Sequence, residues 1–162
     1  MTNAAVAGQR LRAAMEARDH AAVVSLLAPD AVLNSPILGT RFEGREALSD
    51  LYAGIIEGFT EYRYTHEMEA GGAHLLGFAG TVRGKRVEGI DLIRVDDEGL
   101  IVEMTVWLRP LSGLIAFLVG VGPHIARRRG RWQALVLRLA SPPLPLVAAL
   151  VDWLSPRLVR TR

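Results

Sequence analysis

The chain has 162 residues, enough for one domain with a sizeable core and too few for two. Half of its residues are hydrophobic and the mean hydropathy is +0.22, which excludes a disordered chain. It contains no cysteine, which excludes disulfides, thiolate zinc sites and a cysteine nucleophile. Because the first residues lack the apolar run of a secretion signal and no long stretch is free of charges and breakers, we expect a cytoplasmic protein without a membrane span.

The formal net charge of +2 conceals two halves of opposite sign. Residues 1–111 carry eleven basic and sixteen acidic side chains, a net charge of −5. Residues 112–162 carry eight arginines and a single acidic residue, Asp152, a net charge of +7. We therefore treat residues 1–111 as the main domain and residues 112–162 as a basic, apolar extension.

Three helices and a short strand are predicted in the first third of the chain. Apolar residues recur at helical spacing over residues 4–18, and Asp19 is a candidate N-cap for a second helix over 21–27. Residues 31–35 have the composition of a strand that Pro36 ends. A third helix begins at Gly44, and its predicted inner face consists of Leu48, Leu51, Tyr52 and Ile55.

The hydrophobic period then changes from 3.6 to 2. Four runs rich in β-formers follow, separated by short turns containing glycine, at residues 60–68, 73–82, 86–95 and 100–109. Strands joined by such short links form an antiparallel meander most simply. Three helices followed by one curved sheet predict an α+β fold with the helices covering one face.

The C-terminal extension contains two segments, 113–126 and 144–154, that are apolar almost all round. Such helices need burial against protein or lipid. Between them lies a basic cluster, Arg127, Arg128, Arg129 and Arg131. Two hypotheses for this cluster stay open, a solvated turn between helices that pack on the domain or a dimer partner, and an anionic membrane surface with nearby tryptophans as anchors. No recognition motif or aromatic interleaving supports nucleic acid as a partner.

Several motifs in residues 1–111 follow one another as in a known family. They are APDAVLNSP at 28–36, FEGREAL at 42–48, the pair Leu51-Tyr52, GIDLIR at 89–94, DEGLI at 97–101 and VWLRP at 106–110. In order and spacing this region resembles the SnoaL-like branch of the nuclear transport factor 2-like superfamily, which includes ketosteroid isomerases, polyketide cyclases and limonene epoxide hydrolases. The resemblance implies a cone-shaped, curved antiparallel sheet wrapped by three N-terminal helices around a cavity. Function does not follow from it, because this fold carries many activities.

Compared position by position, the resemblance implies part of an isomerase site. Asp91 matches the carboxylic acid that holds the oxyanion in ketosteroid isomerases, and Tyr52 matches a supporting tyrosine on the third helix. The position of the catalytic base is occupied by Ser35, and that of the main oxyanion tyrosine by Leu11. Steroid isomerisation is therefore not expected of this chain.

The strand neighbours of Asp91 mark it as a candidate site residue independently of the resemblance. It shares a strand face with Gly89, Ile93 and Val95, so its predicted surroundings are apolar. Desolvation would raise the pKa of the carboxyl and favour the neutral form, which can donate a hydrogen bond. The alternative is that Asp91 bonds to a neighbouring hydroxyl or arginine and only orders the sheet.

Strand parity suggests further members of a site. His66 alternates with Tyr62, Tyr64 and Met68, so it is either a proton-transfer partner of Asp91 or, if this face is outward, a surface or dimer residue. In the last strand the apolar set Met104, Val106 and Leu108 is assigned to the cavity. Trp107 is then directed outward, towards a homodimer interface formed by the sheet.

We thus expect the domain to bind a small lipophilic molecule such as a polyketide, steroid or terpenoid. Its predicted contacts are Met15, Leu33, Asn34, Tyr52, Tyr64, Phe78, Asp91, Met104 and Leu108. Three functions stay open: a carrier or sensor, an enzyme using Asp91, His66 and Tyr52, and a membrane-associated accessory protein. The remaining histidines lack metal-ligand spacing and no phosphate-binding glycine loop occurs, so neither a metal nor a nucleotide cofactor is expected.

Overall fold

The computed structural model of the protein describes residues 2–129, 146, 150, 153 and 154. Four helices lie within residues 2–129: α1 (Asn3–Glu16), α2 (His20–Ser25), α3 (Arg45–Gly58) and α4 (Leu111–Arg129). The N-terminus of α1 is capped by the Thr2 hydroxyl, and that of α2 by Asp19, whose carboxylate accepts a hydrogen bond from the Ala22 N–H at 3.0 Å. The predicted cap and the predicted inner face of α3 are confirmed, with Leu48, Leu51 and Tyr52 buried.

Six strands form one curled, unclosed sheet. They are β1 (Leu27–Asn34), β2 (Arg41–Glu43), β3 (Phe59–Ala70), β4 (Ala73–Val82), β5 (Lys85–Val95) and β6 (Ile101–Arg109), in the spatial order β2-β1-β6-β5-β4-β3. The antiparallel meander predicted for the last four strands is confirmed. The sheet is not antiparallel throughout, however, because β1 pairs with β6 in parallel. The periodicity of a strand indicates its two faces but not its partner or direction.

Helices cover one face of the sheet, and none of the helices α1 to α4 covers the other, which is called the outer face here. Residues paired across neighbouring strands share a face. The register therefore assigns to the helix-covered face the row His74, Ile93, Met104 and Leu33, and the next row Leu76, Asp91 and Val106. The outer face carries the row His66, Gly77, Ile90 and Trp107.

Helix α4 continues the helical layer of the domain. It packs mainly against α3 and also against β4, β5 and β6, and the Phe117 ring lies 5.9 Å from that of Phe59 between centroids. The first part of the extension is thus continuous with the packing of residues 1–111. Arg127, Arg128 and Arg129 lie in the last turn of α4, whereas Arg131 and most of the segment 144–154 fall outside the described residues.

Helix α1 lies directly on strand β4 at a glycine. An added Cβ at Gly8 would be 2.1 Å from Cδ2 of His74, so only a residue without a side chain fits here. His74 is 2% exposed, and its Nε2 lies 3.0 Å from Oε1 of Glu67, although not in hydrogen-bonding alignment. Contact of the α1 backbone with a buried imidazole therefore sets how closely this helix approaches the sheet.

Candidate functional site

The candidate site is built around the carboxyl group of Asp91. This residue lies on the helix-covered face of β5, between Leu76 of β4 and Val106 of β6, and is 6% exposed. The Tyr64 hydroxyl donates a long hydrogen bond of 3.3 Å to Oδ2. Burial raises the pKa of Asp91 from 3.8 to about 7, and the bond from Tyr64 opposes only part of this rise. Near neutral pH both the charged and the neutral carboxyl are therefore populated.

Aromatic rings form the wall of the site on one side of Asp91. The ring of Tyr62 stacks on Phe78 at 5.2 Å between centroids, and it meets Tyr64 edge to face at 5.3 Å. Phe78 in turn lies directly over Gly89, where a Cβ would come within 2.4 Å of its Cζ. This glycine two residues before Asp91 thus lets an aromatic ring lie against the strand beside the carboxyl.

The tyrosine hydroxyls around Asp91 act as neutral hydrogen-bond donors. Burial raises the pKa of Tyr52, Tyr62 and Tyr64 well above 10, and the negative charge of Asp91 adds to the rise for all three. Their hydroxyls therefore keep their protons throughout the range in which Asp91 titrates.

Tyr52 of helix α3 has a different partner from the one that the resemblance implies. It is buried, and its hydroxyl donates a hydrogen bond of 2.8 Å to the sulfur of Met104. A hydroxyl has a single proton to donate. The hydrogen bond to Asp91 therefore comes from Tyr64, and Tyr52 fixes Met104 in β6, the strand next to that of Asp91.

His66 does not join Asp91. A bulge at Thr65 interrupts the pairing of β3 with β4, since Tyr64 pairs with Phe78 but His66 pairs with Gly77. The extra residue transfers His66 to the outer face, where it is exposed and its Nδ1 lies 2.9 Å from the Thr65 hydroxyl. The expectation of a proton-transfer pair is therefore wrong, because strand parity fails across a bulge.

Asn34 also lies on the other side of the sheet. Its partner in β6 is Thr105, which alternates with the inward Met104, and its Nδ2 donates hydrogen bonds to Glu103 and Thr105 at 3.0 and 2.9 Å. Leu33 is the β1 residue on the helix-covered face. Asn34 is therefore withdrawn as a ligand contact, since it orders the outer surface of the sheet.

The other predicted contacts lie on the helix-covered side. Phe78, as above, lies against the aromatic rings, and the buried hydrophobic core also includes Met15, Leu33 and Met104, with Leu108 half-buried against it. His74 shares this face through its pairing with Ile93, two residues from Asp91. Sequence reasoning considered His74 only as a metal ligand, although the alternation of β4 places it opposite a buried isoleucine.

The two positions at which the chain departs from the isomerase pattern have structural roles. The Ser35 hydroxyl accepts hydrogen bonds from the backbone N–H groups of Ile37 and Leu38, at 3.2 and 3.1 Å, and so shapes the turn after β1. Leu11 of α1 is fully buried in the core. Neither side chain supplies the base or the donor that the corresponding position has in an isomerase.

Within the described part of the chain, no group of three acidic or histidine side chains could hold a metal ion. The same residues include no helix long and apolar enough to cross a membrane.

Comparison with known proteins gives the same picture of the fold. Residues 9–104 match the family model of the SnoaL-like domain. A steroid delta-isomerase from Pseudomonas aeruginosa is similar over 80% of this chain and 93% of its own, with 31% identity and a TM-score of 0.69. An NTF2-like protein of unknown function from Mesorhizobium loti is similar over 67% of this chain and 92% of its own, with 25% identity and a TM-score of 0.60. No curated protein matches the chain.

Proposed function

Because the chain belongs to the SnoaL-like family, we propose that it binds a small lipophilic molecule with a carbonyl or hydroxyl group, as a carrier or sensor. The apolar body of the ligand would lie between the helices and the sheet. Its oxygen would meet the carboxyl of Asp91. The NTF2-like fold and the solved steroid delta-isomerase of similar structure support this general type of ligand.

The observation that carries the proposal is a carboxyl group buried among aromatic and aliphatic side chains with a pKa near neutrality. Burying an ionisable group without full compensation destabilises a protein, so such groups are concentrated at functional sites. The neutral carboxyl donates a hydrogen bond to a carbonyl oxygen, and the charged form accepts one from a hydroxyl. Apolar surroundings with one such polar group are typical of sites for lipophilic ligands.

Binding is proposed in preference to isomerisation because the proton acceptor that isomerisation needs is missing from its usual position. Ser35 uses its hydroxyl as a turn acceptor, and His66 lies across the sheet from Asp91. A carboxyl that only donates or accepts a hydrogen bond orients a ligand without transforming it.

Two naphthalenes of similar shape test the proposal. 2-Acetylnaphthalene has a carbonyl, whereas 2-ethylnaphthalene has none, and binding of each is measured by fluorescence titration at pH 5.5 and 8.5. We expect the ketone to bind about fivefold more tightly than the hydrocarbon at pH 5.5, as one net hydrogen bond would give. At pH 8.5 this preference is lost, because the carboxylate of Asp91 has no proton to donate.

The matched variant Asp91→Asn keeps a donor in its side-chain amide. It should prefer the ketone equally at both pH values, while the hydrocarbon binds the variant and the wild type alike. Failure of both compounds to bind would contradict a lipophilic site. A ketone preference in the wild type that did not change with pH would contradict the role of Asp91.

We further propose that the outer face of the sheet docks a second copy of the chain. Trp107 and Ile90 are 52% and 39% exposed on neighbouring strands, and on the next strand the side chain of His66 lies against Gly77. Adjacent strands lie about 4.8 Å apart, so Trp107 and Gly77 are equally far from Ile90 on either side. A two-fold axis over Ile90 would therefore place Trp107 of each copy against the exposed His66 that covers Gly77 of the other.

The variant Trp107→Ser tests this arrangement by sedimentation equilibrium. Loss of a central interface tryptophan should weaken dimerisation by about thirtyfold or more. Leu38→Ser is the control, because Leu38 is an equally exposed apolar residue outside the strands. A wild-type chain that is monomeric at high concentration, or a dimer that Trp107→Ser leaves intact, would contradict the proposal.

A further inference from the structure

Three apolar residues near the C-terminus have helical backbone and exposed side chains. Leu146, Leu150 and Trp153 are helical and are 73%, 54% and 58% exposed. Their spacing of four and then three residues in the sequence is that of one face of a helix. We call them the apolar stripe. A stripe of large apolar side chains that faces water indicates a surface that meets another phase or molecule.

The charge of the surrounding sequence indicates what that partner is. Residues 112–162 carry a net charge of +7, whereas residues 1–111 carry −5. An anionic surface would attract residues 112–162 and repel residues 1–111. Both effects would orient the protein with its C-terminal part towards that surface. Arg127, Arg128 and Arg129 stand close together in the sequence on the N-terminal side of the apolar stripe.

We propose that the C-terminal segment attaches the protein to the surface of an anionic lipid bilayer. The apolar stripe would insert into the boundary between headgroups and acyl chains, with Trp153 at the level where tryptophan is favoured in membranes. The arginines would bind the headgroup phosphates. This attachment lies in the plane of the surface, and it is independent of the ligand proposed for Asp91.

Vesicle flotation of the full-length protein tests the proposal. Vesicles containing phosphatidylglycerol in phosphatidylcholine are compared with vesicles of phosphatidylcholine alone, at low and at high salt. We expect binding to the anionic vesicles, weakened by salt, and little binding to the neutral ones. Equal binding to both kinds of vesicle, or no binding to either, would overturn the proposal.

Two sets of substitutions separate the contributions of charge and of apolar contact. R127S/R128S/R129S should weaken binding to anionic vesicles by about a hundredfold, since each basic residue near the surface contributes about a factor of five. R10S/R41S/R86S removes the same charge from exposed positions of the main domain and should leave binding unchanged. Equal loss in the two triple variants would overturn the proposal, because it would show a general effect of net charge.

The variant L146S/L150S removes two members of the apolar stripe and should weaken binding by about tenfold or more, with the thermal unfolding of the domain unchanged. If it instead abolishes self-association in solution and leaves vesicle binding intact, the stripe binds a second copy of the chain. That result would overturn the membrane proposal.

Discussion

The variant Asp91→Asn is expected to be more stable than the wild type at pH 8 and nearly equal to it at pH 4. The pKa of Asp91 is 3.8 in the unfolded chain and about 7 in the folded protein. The folded state therefore retains a proton that the unfolded state loses, and wild-type stability decreases as the pH rises from about 4 through 7. The full pKa shift corresponds to about 4 kcal/mol in the free energy of unfolding. The wild type loses this stability on deprotonation, whereas the neutral asparagine variant does not.

Urea unfolding of both proteins between pH 4 and pH 8 measures the effect as the difference in the free energy of unfolding between variant and wild type. Glu98→Gln is the control for the loss of one carboxyl group, since Glu98 is exposed in the turn between β5 and β6. A difference for Asp91→Asn that did not grow between pH 4 and 8 would contradict a raised pKa. Tyr64 can donate to the asparagine amide oxygen as well, so loss of its hydrogen bond does not confuse the comparison.

The second large effect is expected at the contact of helix α1 with His74. Gly8→Ala should destabilise the protein by about 2 kcal/mol, because the new methyl group overlaps the buried imidazole. In the background of His74→Ala the same substitution should stabilise the protein by about 1 kcal/mol, since alanine is the better helix former and the space is now open. The double-mutant cycle, measured by urea unfolding, therefore predicts a reversal of sign.

A Gly8→Ala substitution that destabilised both backgrounds equally would contradict this interpretation. In that case contact with the backbone of β4, and not with the His74 side chain, would limit how closely α1 approaches the sheet. A neutral effect in both backgrounds would contradict close packing of α1 on the sheet.

The parts of the fold that local sequence determines could be predicted. Asp19 caps a helix where a short side-chain oxygen precedes it, and the alternation of β5 places Asp91 on a buried face. The buried face of α3 follows from helical spacing because Leu48, Leu51 and Tyr52 lie within one turn of one another. Each of these features depends on residues close together in the chain.

The features that sequence analysis missed depend on strand pairing. The bulge at Thr65 reverses His66, and the register with Thr105 turns Asn34 outward. The bulge has no signal in the sequence around His66, whereas the alternation of consecutive residues in β1 places Asn34 on the face opposite Leu33. The partner of Asp91 is likewise decided by tertiary packing, since Tyr64 of β3 donates to its carboxyl whereas the Tyr52 hydroxyl of α3 donates to Met104.

The most direct test of the proposed site is a carbon-13 NMR titration of the Asp91 carboxyl, assigned by comparison with Asp91→Asn, without and with saturating 2-acetylnaphthalene. A pKa of about 7 in the free protein is expected. The ketone should raise it further, because a carbonyl oxygen binds only the protonated carboxyl. A pKa near 4 that the ketone does not change would contradict the account, since the carboxyl would then be charged at neutral pH and unable to donate to a ligand.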